Sequence, residues 1–309
     1  MSRTITSRTA TSRTTSFRSA YDQALARWPL PVEAVDVPTP YGVTRVNSFG
    51  PVDAAAPPVV LLPGGGASSA GWGACAAAGL GRDRRVHAVD LVGEPGLSVP
   101  APGRPVRRVG DLAAWLDALL DGLDGLTGLV GGPVTLAGHS YGAWIAAHVA
   151  ARRPRRFDRL VLLDPTRVFA GLRPGYVLRA LPMLVRPTPT RVRSFLAWET
   201  GGAALDPVWT RLQEAAAAFP AVRPVTGPRP DLARLGGLPV EVEVEVLFAG
   251  RARCHDPGRA AAAARRALPG ARVDVLPGVS HHALPLTAAA EIARRLAAPV
   301  SRRSASGPS

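Results

Sequence analysis

Residues 138–142 read Gly138-His139-Ser140-Tyr141-Gly142, and the segments on either side give this pattern its meaning. The apolar run from Val134 to Ala137 predicts a buried strand, and the alanine-rich run from Ala143 to Ala150 predicts a packed helix. A G-x-S-x-G pattern between a strand and a helix is typical of a nucleophile elbow, a sharp turn that holds a serine hydroxyl exposed above a helix N-terminus. The alternative is a glycine-rich turn that happens to contain serine.

Length and composition predict one large α/β domain, or one domain with an inserted cap. The chain has 309 residues, 47% of them hydrophobic, which is enough for a sizeable core. A net charge of +14 would ordinarily suggest nucleic acid or an anionic membrane as a partner. However, the sequence contains no lysine, its arginines are scattered, and no aromatic-basic module accompanies them. We therefore expect a small-molecule substrate, with neither nucleic acid nor membrane as a partner.

The cysteines and the apolar runs predict a cytoplasmic protein. Cys75 and Cys254 are too few for a disulfide framework, and neither stands in a metal-binding spacing. No run approaches about 18 apolar residues, and the first residues lack the apolar segment of a secretory signal. The sequence does not indicate an oligomeric state.

The two ends of the chain are predicted to be disordered. The N-terminal residues repeat a Ser/Thr/Arg pattern that cannot bury a core, and the last residues have a similar composition. We assign residues 1–35 to a disordered tail with its lead-in and 300–309 to a second tail. The α/β core is expected to comprise residues 36–164 and 237–299.

Between the tails, short apolar runs alternate with helical patterns. The runs are Val59–Leu62, Val86–Asp90, Val134–Ala137, Leu160–Leu163, Val242–Phe248 and Val273–Leu276. Helical patterns cover Asp111–Leu123, Tyr141–Arg152, Pro257–Ala267 and Thr287–Ala298. Such alternation predicts a mostly parallel sheet with helices on both faces.

Residues 165–236 interrupt this alternation. Prolines break the segment into short helical pieces, and it is too long for an ordinary crossover. We interpret it as a cap inserted between the strand that ends near Asp164 and the strand near Val242, with Phe169 and Trp198 as aromatic surface over a pocket. The alternative is an irregular excursion whose aromatic residues simply pack on the sheet.

Three further segments carry candidate chemistry. Pro63-Gly64-Gly65-Gly66 follows a strand, and no side chains cover the backbone N–H groups of its glycines. Asp90–Ser98 follows the next strand, and Ser280-His281-His282 follows the last one. A serine hydroxyl is a poor nucleophile at neutral pH, so an imidazole must take its proton during attack. His281 and His282 are the candidates on that loop.

Together these segments resemble the α/β-hydrolase superfamily from about Val43 to about Ala298. The Pro63 turn corresponds to the oxyanion turn of the family, with proline in place of histidine, and Ser280-His281 matches its turn of a small residue and histidine. The resemblance implies an α/β-hydrolase fold in which Ser140 is the nucleophile and His281 is the general base and acid. By the same match, the amides of Gly65 and Tyr141 form the oxyanion hole.

The acid of the triad is less clearly marked. Many relatives carry it in a Gly-x-x-Asp pattern after the penultimate strand, where this chain has Gly250 followed by Arg253 in the place of aspartate. Asp256 lies three residues farther on. Asp164 ends the preceding strand, at the carboxyl edge of the sheet where α/β active sites lie. We assign Asp164 as the acid and keep Asp256 as the alternative.

The implied function is a serine hydrolase that cleaves a carboxylic ester or thioester of a small to medium apolar substrate through an acyl-enzyme. Gly66, Trp72, Phe169 and Trp198 are expected to contact the substrate. We expect no cofactor and no metal, since the sequence has no phosphate loop, dinucleotide fingerprint or metal spacing. The alternatives are other triad chemistry, such as C–C bond, lactone or peptide hydrolysis or acyl transfer, and a catalytically silent member that binds a ligand.

Overall fold

A computed structural model describes residues 2–127, 132–220 and 224–299 of the protein. Within these ranges, side chains are described from residue 12 onward, except at residues 125–127. The strands of this part are β1 (Glu33–Thr39), β2 (Gly42–Phe49), β3 (Val59–Leu62), β4 (Val86–Val89), β5 (Val99–Pro100), β6 (Val134–His139), β7 (Phe157–Leu163), β8 (Glu243–Ala249) and β9 (Arg272–Leu276). They form one sheet in the order β1-β2-β4-β3-β6-β7-β8-β9, with β5 paired to β2.

The pairing directions confirm the predicted mostly parallel sheet. The strands β4, β3, β6, β7, β8 and β9 pair in parallel, each with its neighbour in the sheet. The pairs β1–β2, β2–β4 and β2–β5 are antiparallel and lie toward one edge. Because parallel neighbours share one direction, their carboxyl ends form a single edge on which loops from distant parts of the sequence meet.

Helices surround the sheet. They are α1 (Ser2–Leu25), α2 (Gly73–Ala77), α3 (Val109–Thr127), α4 (Tyr141–Ala150), α5 (Pro174–Val185), α6 (Pro189–Thr200), α7 (Pro207–Ala217), α8 (Leu232–Gly236), α9 (Pro257–Ala267), α10 (Leu284–Thr287) and α11 (Ala289–Ala297). No described helix combines the length and the apolar character that crossing a membrane requires.

The short strand β3 explains why both faces of the sheet are covered. Its four residues are all buried, and successive side chains of a strand point to opposite faces. Val60 joins the apolar cluster that contains Trp115 of α3, whereas Val59 joins the cluster that contains Ile292 of α11. A strand that is apolar at every position therefore needs helices on both sides.

The chain between β7 and β8 forms helices α5 to α8 within the described residues, where the sequence predicts the inserted cap. Phe195 of α6 and Trp209 of α7 pack with Ala180 of α5 in a cluster separate from the two that cover the sheet. This segment, called the insertion below, therefore has a small apolar core of its own. Its limits at residues 165–236 stay a prediction.

The N-terminal segment differs from the prediction. Ser2–Leu25 forms helix α1, and the prediction of a disordered tail over residues 1–35 is wrong for this helix. Phe17 and Tyr21 are fully buried, and the Phe17 ring lies 4.7 Å from that of Phe219 in the insertion.

The reason for the difference is contact with side chains that are distant in sequence. The repeat itself has no apolar face, but Phe17 and Tyr21 follow it in the same helix. Tyr21 Oη donates a 2.9 Å hydrogen bond to Asp90 Oδ2. Two aromatic anchors one turn apart dock a helix whose composition alone favours disorder. The second predicted tail, residues 300–309, lies outside the described residues.

Candidate active site

The turn that carries Ser140 lies between β6 and α4 and brings backbone segments into close contact. Ser140 has φ 54° and ψ −110°, a conformation that residues other than glycine rarely adopt. A Cβ atom on Gly138 would lie 2.4 Å from the Gly142 backbone, and one on Gly142 would lie 2.5 Å from the Leu62 carbonyl oxygen. Glycine is therefore required on both sides of Ser140, and the turn holds the hydroxyl at the carboxyl edge of the sheet.

Three side chains from distant parts of the chain meet at this turn. His281 Nε2 lies 2.9 Å from Ser140 Oγ, and His281 Nδ1 donates a 2.6 Å hydrogen bond to Asp164 Oδ2. Ser140 follows β6, Asp164 follows β7, and His281 lies on the loop after β9. The imidazole thus bridges a hydroxyl and a carboxylate, which is the arrangement that moves a proton away from a serine.

Asp164 is fully buried and has further partners. The Ala249 N–H donates a 3.1 Å hydrogen bond to Oδ1, and His255 Nε2 lies 3.0 Å from the same oxygen. Burial by itself raises the pKa of this carboxyl, but hydrogen bonds and charge from His255 and His281 outweigh burial and hold the pKa of Asp164 well below its usual range. Asp164 is therefore an anion that can orient His281 and stabilise its protonated form.

Asp256, the alternative acid, lies on the protein surface. Its carboxylate caps α9 by accepting the Arg259 N–H at 3.0 Å, and it forms a 3.1 Å ion pair with Arg173. The side chain is 40% exposed. Its contacts are those of a helix cap and a surface charge, so the geometry favours Asp164.

Three histidines lie around Ser140, and their pKa values are shifted from the usual value in different directions. Burial lowers the pKa of His139 to about 3. Burial and the neighbouring His281 hold the pKa of His282 well below its usual value. Burial also lowers the pKa of His281, but Cys254 and Asp164 outweigh it and keep the pKa of this imidazole above its usual value. Of the three, His281 is the one that can become charged near neutral pH.

Gly65, an expected oxyanion-hole residue, lies beside Tyr141. A Cβ atom on Gly65 would lie 3.4 Å from Cβ of Tyr141, the residue that follows Ser140 and begins α4. The Gly65 backbone therefore packs against the first residue of α4. The Gly66 N–H, in contrast, donates a 2.8 Å hydrogen bond to Glu94 Oε2 and is already bonded within the protein.

A pocket opens at Ser140, and His281 lies in its wall. Trp72, an expected substrate contact, lines it, and so do Trp209 and Gln213 from helix α7 of the insertion. Because α7 contributes to the wall, the insertion borders the same space as the serine. Both tryptophan side chains make much of this wall apolar.

Phe169 and Trp198, the other two aromatic residues expected to contact substrate, lie outside this pocket. Phe169 packs edge-on against Phe248 in the core, with 6.2 Å between ring centroids. Trp198 packs near Phe195, with 5.9 Å between centroids, and the Arg253 guanidinium lies over its ring. Their sequence positions in the insertion did not indicate which way each side chain points.

Sequence reasoning gave no role to two residues that the structure brings to the site. They are His255 beside Asp164 and Glu199 beside the backbone of the His281 loop. A histidine in the loop where many relatives carry the acid was a usable signal for His255. A single glutamate in a helical pattern carries no such signal, so only the tertiary structure reveals that Glu199 lies at the site.

Within the described residues, one group of ligand-type side chains lies close together, namely Asp164, Cys254 and His255. His255 Nδ1 lies 3.4 Å from Cys254 Sγ, and its Nε2 faces Asp164. One imidazole nitrogen of His255 thus faces the Cys254 thiol, and the other faces the Asp164 carboxylate. We therefore assign this group to the surroundings of the acid and not to a metal site.

Comparison with known proteins gives a family match that covers most of the chain. Residues 59–295 match the model of a family described as the alpha/beta hydrolase family. The matched range includes Ser140, Asp164 and His281.

Two curated relatives align with parts of the chain. One is carboxylesterase YbfK of Bacillus subtilis, 31% identical over 60% of this chain and 58% of its own length. Another is lipase LipV of Mycobacterium tuberculosis, 34% identical over 45% of this chain and 43% of its own length. The aligned regions therefore span less than two thirds of these relatives.

Solved structures extend the similarity to nearly the full chain. The crystal structure of carboxylesterase CesB (YbfK) from Bacillus subtilis has a TM-score of 0.80 at 26% identity, over 92% of this chain and 97% of that one. Naproxen esterase from Bacillus subtilis has a TM-score of 0.79 at 24% identity, over 91% and 95% of the two chains, which shows a shared fold.

Proposed function

Because the chain belongs to the alpha/beta hydrolase family, we propose that it is a serine hydrolase that cleaves a carboxylic ester or thioester through an acyl-enzyme. One observation carries the proposal, the His281 imidazole that lies 2.9 Å from Ser140 Oγ and 2.6 Å from Asp164 Oδ2. The similarity to proteins named carboxylesterase supports ester chemistry.

In the first half of the reaction, Ser140 Oγ attacks the carbonyl carbon of the substrate and transfers its proton to His281 Nε2. Asp164 stabilises the imidazolium through the hydrogen bond to Nδ1. The carbonyl oxygen becomes negative, and the amides of Gly65 and Tyr141 bind it. The intermediate collapses, the bond to the alcohol or thiol breaks, and His281 returns the proton to that leaving group.

In the second half, water replaces the leaving group. His281 takes one proton from the water as its oxygen attacks the acyl carbon, and the same two amides bind the second oxyanion. When the bond between the acyl carbon and Ser140 Oγ breaks, the proton on His281 passes to Oγ. The free acid leaves and the enzyme is restored.

The lining of the pocket supports an apolar substrate, because Trp72 and Trp209 form part of its wall beside Ser140. The insertion covers the serine from the side of α7, so it acts as a cap in this proposal. The small-molecule substrate and the cytoplasmic location that the sequence predicts stay predictions.

Labelling with a fluorophosphonate probe tests the proposal directly. We expect the wild-type protein to be labelled and to hydrolyse p-nitrophenyl esters of short and medium chain length, and Ser140→Ala to do neither while it keeps its melting temperature. A folded wild-type protein that is neither labelled nor active would contradict the proposal and would favour a ligand-binding member of the fold. Hydrolysis of only C–C, lactone or peptide substrates would favour the other triad reactions.

A further inference from the structure

A carboxylate of the insertion lies directly under the loop that carries His281. Glu199, in the last turn of α6, is 1% exposed. Its Oε1 accepts the His281 backbone N–H at 2.9 Å, and its Oε2 accepts the His282 N–H at 3.3 Å. Both carboxylate oxygens thus accept hydrogen bonds from peptide groups of the loop, and His282 Nδ1 lies 3.9 Å from Oε2.

We propose that Glu199 is a positioning residue, which fixes the loop so that the His281 imidazole reaches Ser140. The inference rests on the proposed hydrolase function and adds to it a residue from the insertion. In this view the insertion does more than cover the pocket, because one of its buried side chains sets the position of the general base.

The peptide backbone of His281 is held at both of its polar groups. Glu199 binds the N–H, and the carbonyl oxygen accepts a 3.0 Å hydrogen bond from His139 Nε2. Asp164 binds the side chain at Nδ1. With these three contacts the imidazole has little freedom to tilt, and a displacement of about 1 Å between reacting atoms costs about 100-fold in rate.

A carboxylate suits this position better than any neutral group of similar shape. Two N–H donors point at Glu199, and a carboxylate offers only acceptors to them. The amide of glutamine would present an NH2 group to one of the two donors and lose that hydrogen bond. The negative charge also lies close to His281, where it favours the protonated imidazole that forms during attack.

Burial of this carboxylate is costly, which argues for a specific role. Burial raises the pKa of Glu199, while hydrogen bonds from the loop and the charge of His281 lower it in part. The titratable and polar groups around it are Tyr176, Ser280, His281 and His282. None of these four residues is a lysine or arginine, and the buried charge is stabilised by the charge of His281 and by hydrogen bonds from the loop.

The test compares Glu199→Gln with Glu214→Gln. Glu214 lies on α7 of the same insertion and forms a 2.6 Å ion pair with Arg193, so its variant controls for loss of a glutamate from this segment. For Glu199→Gln we expect kcat to fall about 10- to 100-fold with KM changed less than about 3-fold. The rate of fluorophosphonate labelling should fall in parallel. The melting temperature should change little, because the lost hydrogen bond and the removal of a buried charge have opposite effects on stability.

A merely structural role would lower the melting temperature and leave kcat of the folded fraction unchanged, and this outcome overturns the inference. So does a Glu199→Gln enzyme as active as Glu214→Gln. Glu199→Asp supplies a second variant that keeps the charge, and its kcat should lie between those of wild type and Glu199→Gln; a value no higher than Glu199→Gln counts against the carboxylate. If wild type itself is neither labelled nor active, it is the proposed function that fails.

Discussion

His281 Nδ1 lies 2.6 Å from Asp164 Oδ2 although the two residues are 117 positions apart in the chain. The contact forms because Asp164 directly follows β7 and the loop after β9 returns over the same edge of the sheet. Parallel pairing puts both carboxyl ends on one side of the molecule. The hydrogen bond therefore depends on the order of the strands as much as on the two residues.

The first prediction concerns the acid of the triad. Asp164→Asn is expected to lower kcat about 10³- to 10⁴-fold with the fold intact, because an amide no longer stabilises the imidazolium and does not enforce the productive tautomer. Steady-state kinetics with a p-nitrophenyl ester and circular dichroism measure the two effects. Asp256→Asn is the control and should retain nearly full activity. The opposite pattern would transfer the role of the acid to Asp256.

The second prediction concerns pH. Cys254 and Asp164 keep the pKa of His281 above its usual value despite burial. Since the base must be neutral to accept a proton, kcat/KM should fall as the pH falls through this pKa, with a midpoint above about 6.5. Asp164→Asn removes a negative neighbour, so the residual activity should have a lower midpoint. A midpoint that is unchanged or raised in this variant would show that Asp164 is not the partner that sets the pKa.

The titratable groups that face the His281 imidazole define what else could move this midpoint. They are Cys254 and His255 from the loop after β8, His139 from the elbow, Glu199 from α6 and the adjacent His282. Burial lowers the pKa of His139 to about 3, so this histidine stays neutral across the measured range. A Cys254→Ala profile, measured alongside, separates the contribution of the thiol from that of Asp164.

The third prediction concerns helix α1. Tyr21 is buried, donates a hydrogen bond to Asp90 and accepts one of 2.6 Å from Asn47 Nδ2. Tyr21→Phe should lower the free energy of unfolding by about 1–3 kcal/mol, because buried polar partners lose a hydrogen bond. Urea denaturation measures the change. The exposed Arg18→Ala is the control and should stay within about 0.5 kcal/mol of wild type; equal stability of both variants would mean that α1 does not dock.

The fourth prediction concerns pocket size. Trp209 lines the pocket, so Trp209→Leu should raise the ratio of kcat/KM for longer acyl esters over short ones by about 10-fold. Trp198→Leu makes the same substitution outside the pocket and should leave the ratio unchanged. A chain-length series of p-nitrophenyl esters provides the measurement. If Trp198→Leu shifts the ratio and Trp209→Leu does not, the acyl chain of the substrate lies beside Trp198 and not in the pocket that Trp209 lines.

Much of the candidate site is encoded in local patterns. The G-x-S-x-G turn carries its own reason for the glycines on each side of Ser140, and the apolar runs before Ser140 and Asp164 mark where two strands end. The sequence therefore indicated the parallel sheet and the candidate triad residues. It also left the choice between Asp164 and Asp256 open, because both follow strands of the same sheet.

The sequence by itself indicated the parallel strands of the core and the candidate residues Ser140 and His281, since periodicity and turn residues act over a few positions. Tertiary structure alone decided that Asp164 and not Asp256 meets His281, that α1 docks through Tyr21, and that Glu199 holds the His281 loop. Each of these contacts joins residues far apart in the chain. Their distances depend on strand order, register and packing, which no local pattern specifies.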